Sequence, residues 1–219
     1  MDARIAAIIP AYNEALTVAA VVAAAHRSPY ISEVIVVSDG STDSTENVAR
    51  VAGAEVVVLA KNSGKGEAMR AGVARTNAPF LLFLDADLYG FTEEHIERLV
   101  LPVLSGARVM NVGLRDRGVW VTKLTRHLPL ISGERAMRRE VFEGVPREYA
   151  QGYMIEASLN YFCRSHGLDY GFVQLPGVSI RKKIAKVGWK RGVVEYGLMG
   201  LAIVKSVLFV RVARLIGRF

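Results

Sequence analysis

Cysteine is all but missing from this chain: Cys163 is the only one among 219 residues. That excludes a disulfide framework and a multi-cysteine metal site, and it fits a reducing compartment. Cys163 itself is expected to be a small buried hydrophobe. Histidine is scarce too, and His26, His95, His127 and His166 have no metal-ligand spacing. No GxxxxGK[ST] segment is present, so a P-loop is excluded. Gly64-Lys-Gly66 lacks the third glycine of a dinucleotide fingerprint, and the first strand runs into Pro10 where a glycine loop would stand. A nucleotidyltransferase would also want glycines there. The start, Met1-Asp-Ala-Arg-Ile, has no basic segment followed by a long apolar one, so no signal peptide is expected. Long apolar runs are missing as well. The most apolar part of the tail has only nine uncharged residues between Glu195 and Lys205, far short of the ~20 that a span needs.

Acids are rare in one region alone. From Arg181 onward there are ten basic residues and a single acid, Glu195, so this segment carries +9. Against a net +7 for the chain, residues 1–180 then carry −2. Such asymmetry points to an anionic surface as partner, membrane or nucleic acid. The tail's aromatics, Trp189, Tyr196, Phe209 and Phe219, do not interleave with the basic cluster as a stacking platform would, which argues against nucleic acid. Val193 to Phe219 contains no proline and reads as one helix of about 27 residues, roughly 40 Å long. Arg211, Arg214 and Arg218 fall on one face of it. An apolar helix with a basic stripe is expected to lie in a membrane interface. A helix that covers the core or pairs two copies in a homodimer is the alternative.

What is present in abundance is short apolar runs that end in polar clusters. Phe80-Leu-Leu-Phe-Leu84 is followed by Asp85-Ala-Asp87. The run is too short for a buried helix and reads as a strand covered on both faces. Side chains at i and i+2 of an extended segment point the same way, so the two carboxylates can converge on one object, such as a hard divalent cation carrying a diphosphate. A turn that merely begins with Asp is the plainer alternative. Other strands are expected at Ile5–Ile9, Glu33–Ser38, Glu55–Leu59 and about Arg108–Leu114, with helices at about Ala15–His26, after Ser44 or Asp43, at Glu67–Thr76, from Thr92 to about Leu104, and at Met154–His166. Strands alternating with helices imply βαβ units and a mostly parallel sheet. Right-handed crossovers place the carboxyl ends of these strands on one edge. Asn13 and Glu14, Asp39 and Asp43, Lys65, and Asp85 with Asp87 all fall there, which suggests one nucleotide-sized site.

The ordered segments Ile9-Pro10-Ala-Tyr-Asn-Glu14, Val37-Ser-Asp39-Gly-Ser-Thr-Asp43, Asn62-Ser-Gly-Lys65-Gly and Asp85-Ala-Asp87 resemble the nucleotide-sugar half of family 2 glycosyltransferases with the GT-A fold. The resemblance covers about residues 5–114. It implies that Pro10, Ala11, Tyr12, Glu14 and Asp39 hold the nucleoside, that Asp85 approaches the ribose and that Asp87 binds Mg²⁺ or Mn²⁺. Leu130-Ile-Ser132-Gly-Glu134-Arg-Ala-Met-Arg-Arg139 and Gly152-Tyr-Met-Ile-Glu156 resemble the acceptor half of glucosyl-3-phosphoglycerate synthases, whose Gly-Lys-Gly-Glu-Ala lysine contacts the donor diphosphate and matches Lys65. Arg181 stands near the place of a metal-binding histidine in those synthases, and Trp120 near the place of an arginine that grips phosphate. The hydrophobic C-terminal segment is similar to those of polyprenyl-phosphate glycosyltransferases.

The resulting expectation is a single GT-A domain, residues 1–192, with a donor half at about 1–114, an acceptor half at about 115–192 and an amphipathic helix at 193–219. Its expected activity is metal-dependent transfer from a UDP- or GDP-sugar to a lipid-linked acceptor such as polyprenyl phosphate, by direct displacement with inversion. The alternatives are a soluble phosphorylated acid as acceptor, a retaining route as in the synthases, or a nucleotide-sugar-binding module without turnover. Asp87 would hold the cation, and Lys65 would favour departure of the nucleoside diphosphate. Arg181 would face either the diphosphate or the membrane. Glu134 or Glu156 would serve a hydroxyl acceptor as general base, whereas a phosphate needs none. Such a protein would sit in the cytoplasm, peripherally on the inner face of the cell membrane.

Overall fold

In the computed structural model, residues 4–115, 132–149 and 154–180 are described. Alternation of side chains along the first strands builds the core. In β1 (Ile5–Ala11), β2 (Ile31–Asp39) and β4 (Phe80–Phe83) successive residues face opposite sides of the sheet. Ile5, Ala7, Ile9, Val34, Val36 and Leu82 enter one apolar layer, and Ile8, Ile35, Val37, Leu81 and Phe83 enter the other. Both layers need cover. Helices α1 (Val18–Arg27), α2 (Thr45–Val51) and α4 (Glu93–Leu104) supply one. Helices α3 (Lys65–Val73), α5 (Arg139–Glu143) and α6 (Met154–Ser165) supply the other. Gly72 lets α3 lie close on the sheet, because a Cβ there would meet Ile8 Cγ2 at 2.4 Å.

The remaining strands are β3 (Glu55–Leu59), the two-residue β5 (Leu88–Tyr89), β6 (Met110–Arg115), β7 (Arg135–Arg138), β8 (Tyr170–Leu175) and β9 (Ser179–Ile180). Seven of the strands form one sheet in the order β3-β2-β1-β4-β7-β6-β8, while β5 and β9 pair separately. Pairings β1–β2, β1–β4, β2–β3 and β6–β8 are parallel. Among the described residues of this sheet, β7 alone runs against its neighbours, β4 and β6. The mostly parallel α/β sheet expected from the sequence is present.

Several boundaries differ for physical reasons. Helix α1 starts at Val18 instead of Ala15, because Thr17 and Val18 both donate to the Glu14 carbonyl in a preceding turn. The sheet does not close with the strand at 110–115; β7 and β8 extend it. Arg135-Ala-Met-Arg138 reads as polar, yet Arg135 is fully buried, so apolar patterning could not find β7. In α4, Pro102 has no N–H to offer the Arg98 carbonyl. Asn111 Nδ2 on β6 donates to that carbonyl at 3.1 Å and to the Leu99 carbonyl at 3.0 Å. His95 is structural. Its Nδ1 accepts from the Thr92 N–H at 3.0 Å, so Nε2 carries the proton that meets the Pro176 carbonyl at 3.0 Å. The tail helix expected at 193–219, with Arg181, lies outside the described residues. Among those described, no helix is long and apolar enough to cross a membrane.

Candidate active site

The turn after β1 is fixed to the turn after β2 by a set of short-range bonds. Asn13, at φ 57°, donates its N–H to Ser41 Oγ and accepts the Thr42 N–H on Oδ1 at 2.8 Å. The Glu14 N–H donates to Thr45 Oγ1 at 2.8 Å, and the Ala15 N–H to Asp43 Oδ2 at 3.3 Å. Thr45 in turn donates its N–H to Asp43 Oδ1 at 2.9 Å. Burial works against ionisation of Asp43, but the Thr45 hydroxyl, which also donates to Oδ1, and these N–H groups outweigh it and hold the carboxyl below its ordinary range. Pro10, Ala11, Tyr12 and Glu14 are thereby carried on a stiff edge. Tyr12 is exposed and Glu14 is buried.

Asp39 ends β2 and reaches the next loop. Its Oδ1 accepts the Ser63 N–H at 2.7 Å and its Oδ2 the Gly64 N–H at 2.9 Å. This clasp sets the start of α3, where Lys65 is the first residue. Lys65 Nζ then lies 2.6 Å from Asp85 Oδ1 and 2.6 Å from Glu156 Oε1. Burial would depress its pKa, but the two carboxylates outweigh that and raise it above the ordinary lysine value. Burial likewise opposes ionisation of Asp85. The charges of Lys65 and Arg115 overcome it, and the carboxyl is held below its usual range.

Asp85 and Asp87 follow β4 at the carboxyl edge, both half-buried. Glu134 precedes β7. Because β7 runs against its neighbours, its start lies on the edge where the parallel strands end. Gly133 makes the fit possible: a Cβ there would stand 2.1 Å from Asp85 Oδ1. Glu156 enters from the first turn of α6. The structure therefore brings Lys65, Asp85, Glu134 and Glu156 together, as the sequence suggested.

The sequence reading missed four members of this cluster. Arg115 ends β6, with Nη1 4.0 Å from Asp85 Oδ2 and 3.6 Å from Glu134 Oε1. It also feels the charge of Asp87. Its position at the end of a predicted strand was the available signal, since the other site residues were chosen on that ground. Ser132 Oγ lies 2.5 Å from Glu134 Oε2. Gly133 has the role given above. The buried guanidinium of Arg135 donates to the Ser132 carbonyl at 2.5 Å, to the Glu156 carbonyl at 3.2 Å and to Asn160 Oδ1 at 3.5 Å. It joins the segment carrying Glu134 to the helix carrying Glu156. Glu134 is fully buried. Burial first, and the charge of Asp85 next, push its carboxyl up to about 7.

The sequence model of the family described as Glycosyl transferase family 2 matches residues 6–161. The chain belongs to this family. The glycosyltransferase AglJ of Haloferax volcanii is 31% identical over 182 residues, covering 74% of this chain and 58% of AglJ. Glucosyl-3-phosphoglycerate synthase of Mycobacterium tuberculosis is 30% identical over 195 residues, covering 71% of this chain and 59% of the synthase. The chain thus spans under two thirds of either relative's length. A crystal structure of the M. tuberculosis synthase with Mn²⁺, UDP-glucose and phosphoglyceric acid superimposes with a TM-score of 0.80 at 28% identity, covering 94% of this chain and 79% of that one. Another, with Mg²⁺ and UDP, gives a TM-score of 0.80 at 27% identity. The two synthase structures match the fold, and the residues matched by the family model run from β1 past Glu156.

Proposed function

We propose that this chain catalyses metal-dependent transfer of a sugar from a nucleoside diphosphate sugar, UDP-glucose being the first donor to test, to an acceptor that carries phosphate. The observation that carries this reading is the meeting of Lys65, Arg115, Asp85, Glu134 and Glu156, from five separate segments, at one sheet edge. Pro10, Ala11, Tyr12, Glu14 and Asp39 line the nucleoside end of that edge, and Asp85 takes the ribose. Arg181 is assigned to the diphosphate, outside the described residues.

The donor set suits Mg²⁺ or Mn²⁺. Asp87 offers a hard, half-buried carboxylate. Among the described residues no group of three or more acids, histidines or cysteines could hold an ion unaided. The protein would then give one carboxylate or two, with diphosphate oxygens as the other ligands, as Mg²⁺ prefers. When bound, the ion neutralises charge on the departing diphosphate. Lys65 stays cationic between its two carboxylates and adds a second fixed positive charge there. The acceptor oxygen attacks the anomeric carbon as the bond to the diphosphate oxygen breaks. A phosphate oxygen is already ionised and gives up no proton; a hydroxyl would need Glu134 or Glu156 as base.

The test is release of UDP from UDP-glucose with a panel of phosphorylated acceptors, with Mn²⁺ and with a chelator. Acceptor-dependent release that stops with chelator is expected. Binding without release of UDP would mark a non-catalytic module, and release that needs no acceptor would mark hydrolysis. Asp87→Ala should abolish transfer with the melting temperature unchanged, and near-normal turnover at saturating metal would remove Asp87 from the site. A single displacement inverts the anomeric centre, so retention in the product's NMR spectrum marks another route.

A lipid-linked phosphate is the second reading, favoured by the +9 charge after residue 180 and by Arg211, Arg214 and Arg218 at helical spacing. Each basic residue near an anionic leaflet contributes about 1 kcal/mol. Flotation with anionic vesicles at low salt should carry the full chain but not a variant ending at residue 192. If the full chain stays behind, a soluble phosphorylated acid is the acceptor class.

A further inference from the structure

Ser132 Oγ lies 2.6 Å from the Gly113 carbonyl oxygen and 2.5 Å from Glu134 Oε2. A hydroxyl has one proton to give and lone pairs to receive another. The carbonyl can only accept, so the proton of Ser132 is committed to Gly113. The contact with Glu134 is then too short for two facing acceptors, since 2.5 Å is a short O–H···O separation. It requires a second proton, and that proton must sit on Oε2. The opposite assignment would press a serine lone pair against the Gly113 oxygen at 2.6 Å.

The other carboxyl oxygen points to the same state. Among the described residues, Glu134 Oε1 is buried without a hydrogen-bond partner. A buried carboxylate oxygen without a donor is costly, while the carbonyl oxygen of a neutral acid is much less so. The charged groups that face Glu134 do not remedy this. Arg115 on β6 stands off at 3.6 Å. Lys65 on α3 is held by Asp85, after β4, and by Glu156 on α6. Arg135 on β7 is spent on the Ser132 and Glu156 carbonyls and on Asn160.

We propose that Glu134 is held as a neutral carboxylic acid which donates its Oε2 proton to Ser132 Oγ, with Ser132 passing its own proton to the Gly113 carbonyl, so that Ser132 is a positioning residue for this acid. The relay fixes which oxygen carries the proton. It leaves Oε1 turned toward Arg115 as a neutral acceptor. In this state Glu134 is not poised as a general base, and this consequence alone rests on the transfer reaction proposed above; the protonation state itself does not.

The experiment is infrared spectroscopy of the full chain at pH 6, where ordinary carboxyl groups, with pKa values of about 4, are ionised. The difference spectrum of wild type minus Glu134→Gln should contain the C=O stretch of a protonated carboxyl group, shifted in D₂O. In Ser132→Ala that band should move to higher frequency, because the acid loses its acceptor. A difference spectrum holding only carboxylate bands would overturn the neutral acid, and a band unmoved in Ser132→Ala would overturn the relay. Should Glu134→Gln fail to fold, wild type minus Ser132→Ala tests the same point through the paired loss and gain at two C=O frequencies; a flat difference refutes the proposal. Absence of sugar transfer under every condition would remove the reaction but leave these spectra unchanged.

Discussion

Lys65→Met removes one ammonium from between two carboxylates and leaves a stem of similar size. Lys65 Nζ is 2.6 Å from both Asp85 Oδ1 and Glu156 Oε1. Exposure of the three side chains is 18%, 21% and 4% respectively. Breaking a buried pair by removing one partner costs ~3–5 kcal/mol. Asp85 retains solvent contact and has Arg115 at 4.0 Å, which places the loss at the lower end, about 3 kcal/mol. For a domain of this size that is a fall of roughly 6–12 °C in melting temperature. The pH dependence has a definite sign. Asp85 is depressed in the folded wild type, largely by Lys65 overcoming burial. Its contribution is present above the unfolded carboxyl value of about 4 and is lost as pH falls through the folded value. Without Lys65 that contribution disappears at every pH. The gap between wild type and variant should therefore be widest at pH 6–8 and should narrow as pH falls below about 4. Thermal melts across this range, followed by circular dichroism, give the measurement. Equal melting temperatures at pH 7, or a gap that widens in acid, would refute the electrostatic account.

Three further outcomes are expected. Asn111→Leu strands the Arg98 carbonyl beside Pro102 and should cost about 2 kcal/mol in urea unfolding; adding Pro102→Ala, which restores an N–H, should recover part of it, and no recovery would show that the carbonyl is not the cause. Gly133→Ala drives a Cβ to within 2.1 Å of Asp85 Oδ1, so donor affinity by calorimetry should fall at least tenfold, and wild-type affinity would disprove the close approach. The Cys163 thiol, pushed up to about 12 by burial, should resist an aromatic disulfide reagent at pH 8 until urea unfolds the chain; prompt labelling of the native protein would contradict its burial.

The first half of the chain was legible because its strands are short apolar runs followed within a few residues by polar clusters. Glu55–Leu59 was bounded correctly, and the expected clusters lie on one edge. Asp39 shows where such reading stops. A carboxylate between a strand and a turn predicts a local Asx bond, yet both oxygens of Asp39 reach the backbone 24 and 25 residues ahead. Arg115 and Arg135 escaped for a different reason. A buried arginine is stabilised by partners distant in sequence, here Glu134 and Asp85 for one and the Glu156 carbonyl and Asn160 for the other. No local pattern announces those partners. Helix α6 spans nearly the stretch expected for it, while Arg135, which reaches its Glu156 carbonyl, lies outside that stretch.

The reversal of one strand explains how Glu134 reaches the edge where the parallel strands end. A parallel strand presents its last residues to the edge and arrives there from the core, so each βαβ unit supplies one cluster. Asp39, Lys65 and Asp85 arrive in this way. An antiparallel strand presents its first residues, so the segment before β7 reaches the edge from the outside. Ser132, Gly133 and Glu134 use that freedom. Gly133 admits them against Asp85, and Gly113 on the neighbouring β6 anchors them through its carbonyl and through its N–H, which donates to the Glu134 carbonyl at 2.8 Å. Arg135, the next residue, turns inward and holds α6 by the Glu156 carbonyl. Four consecutive residues thus set a loop, an acid and a helix against the edge that carries Asp85. A substitution at any of them should disturb the position of Glu134 or Glu156 relative to Asp85 before it disturbs the turn after β1, where Asn13, Asp43 and Thr45 form a separate set of bonds.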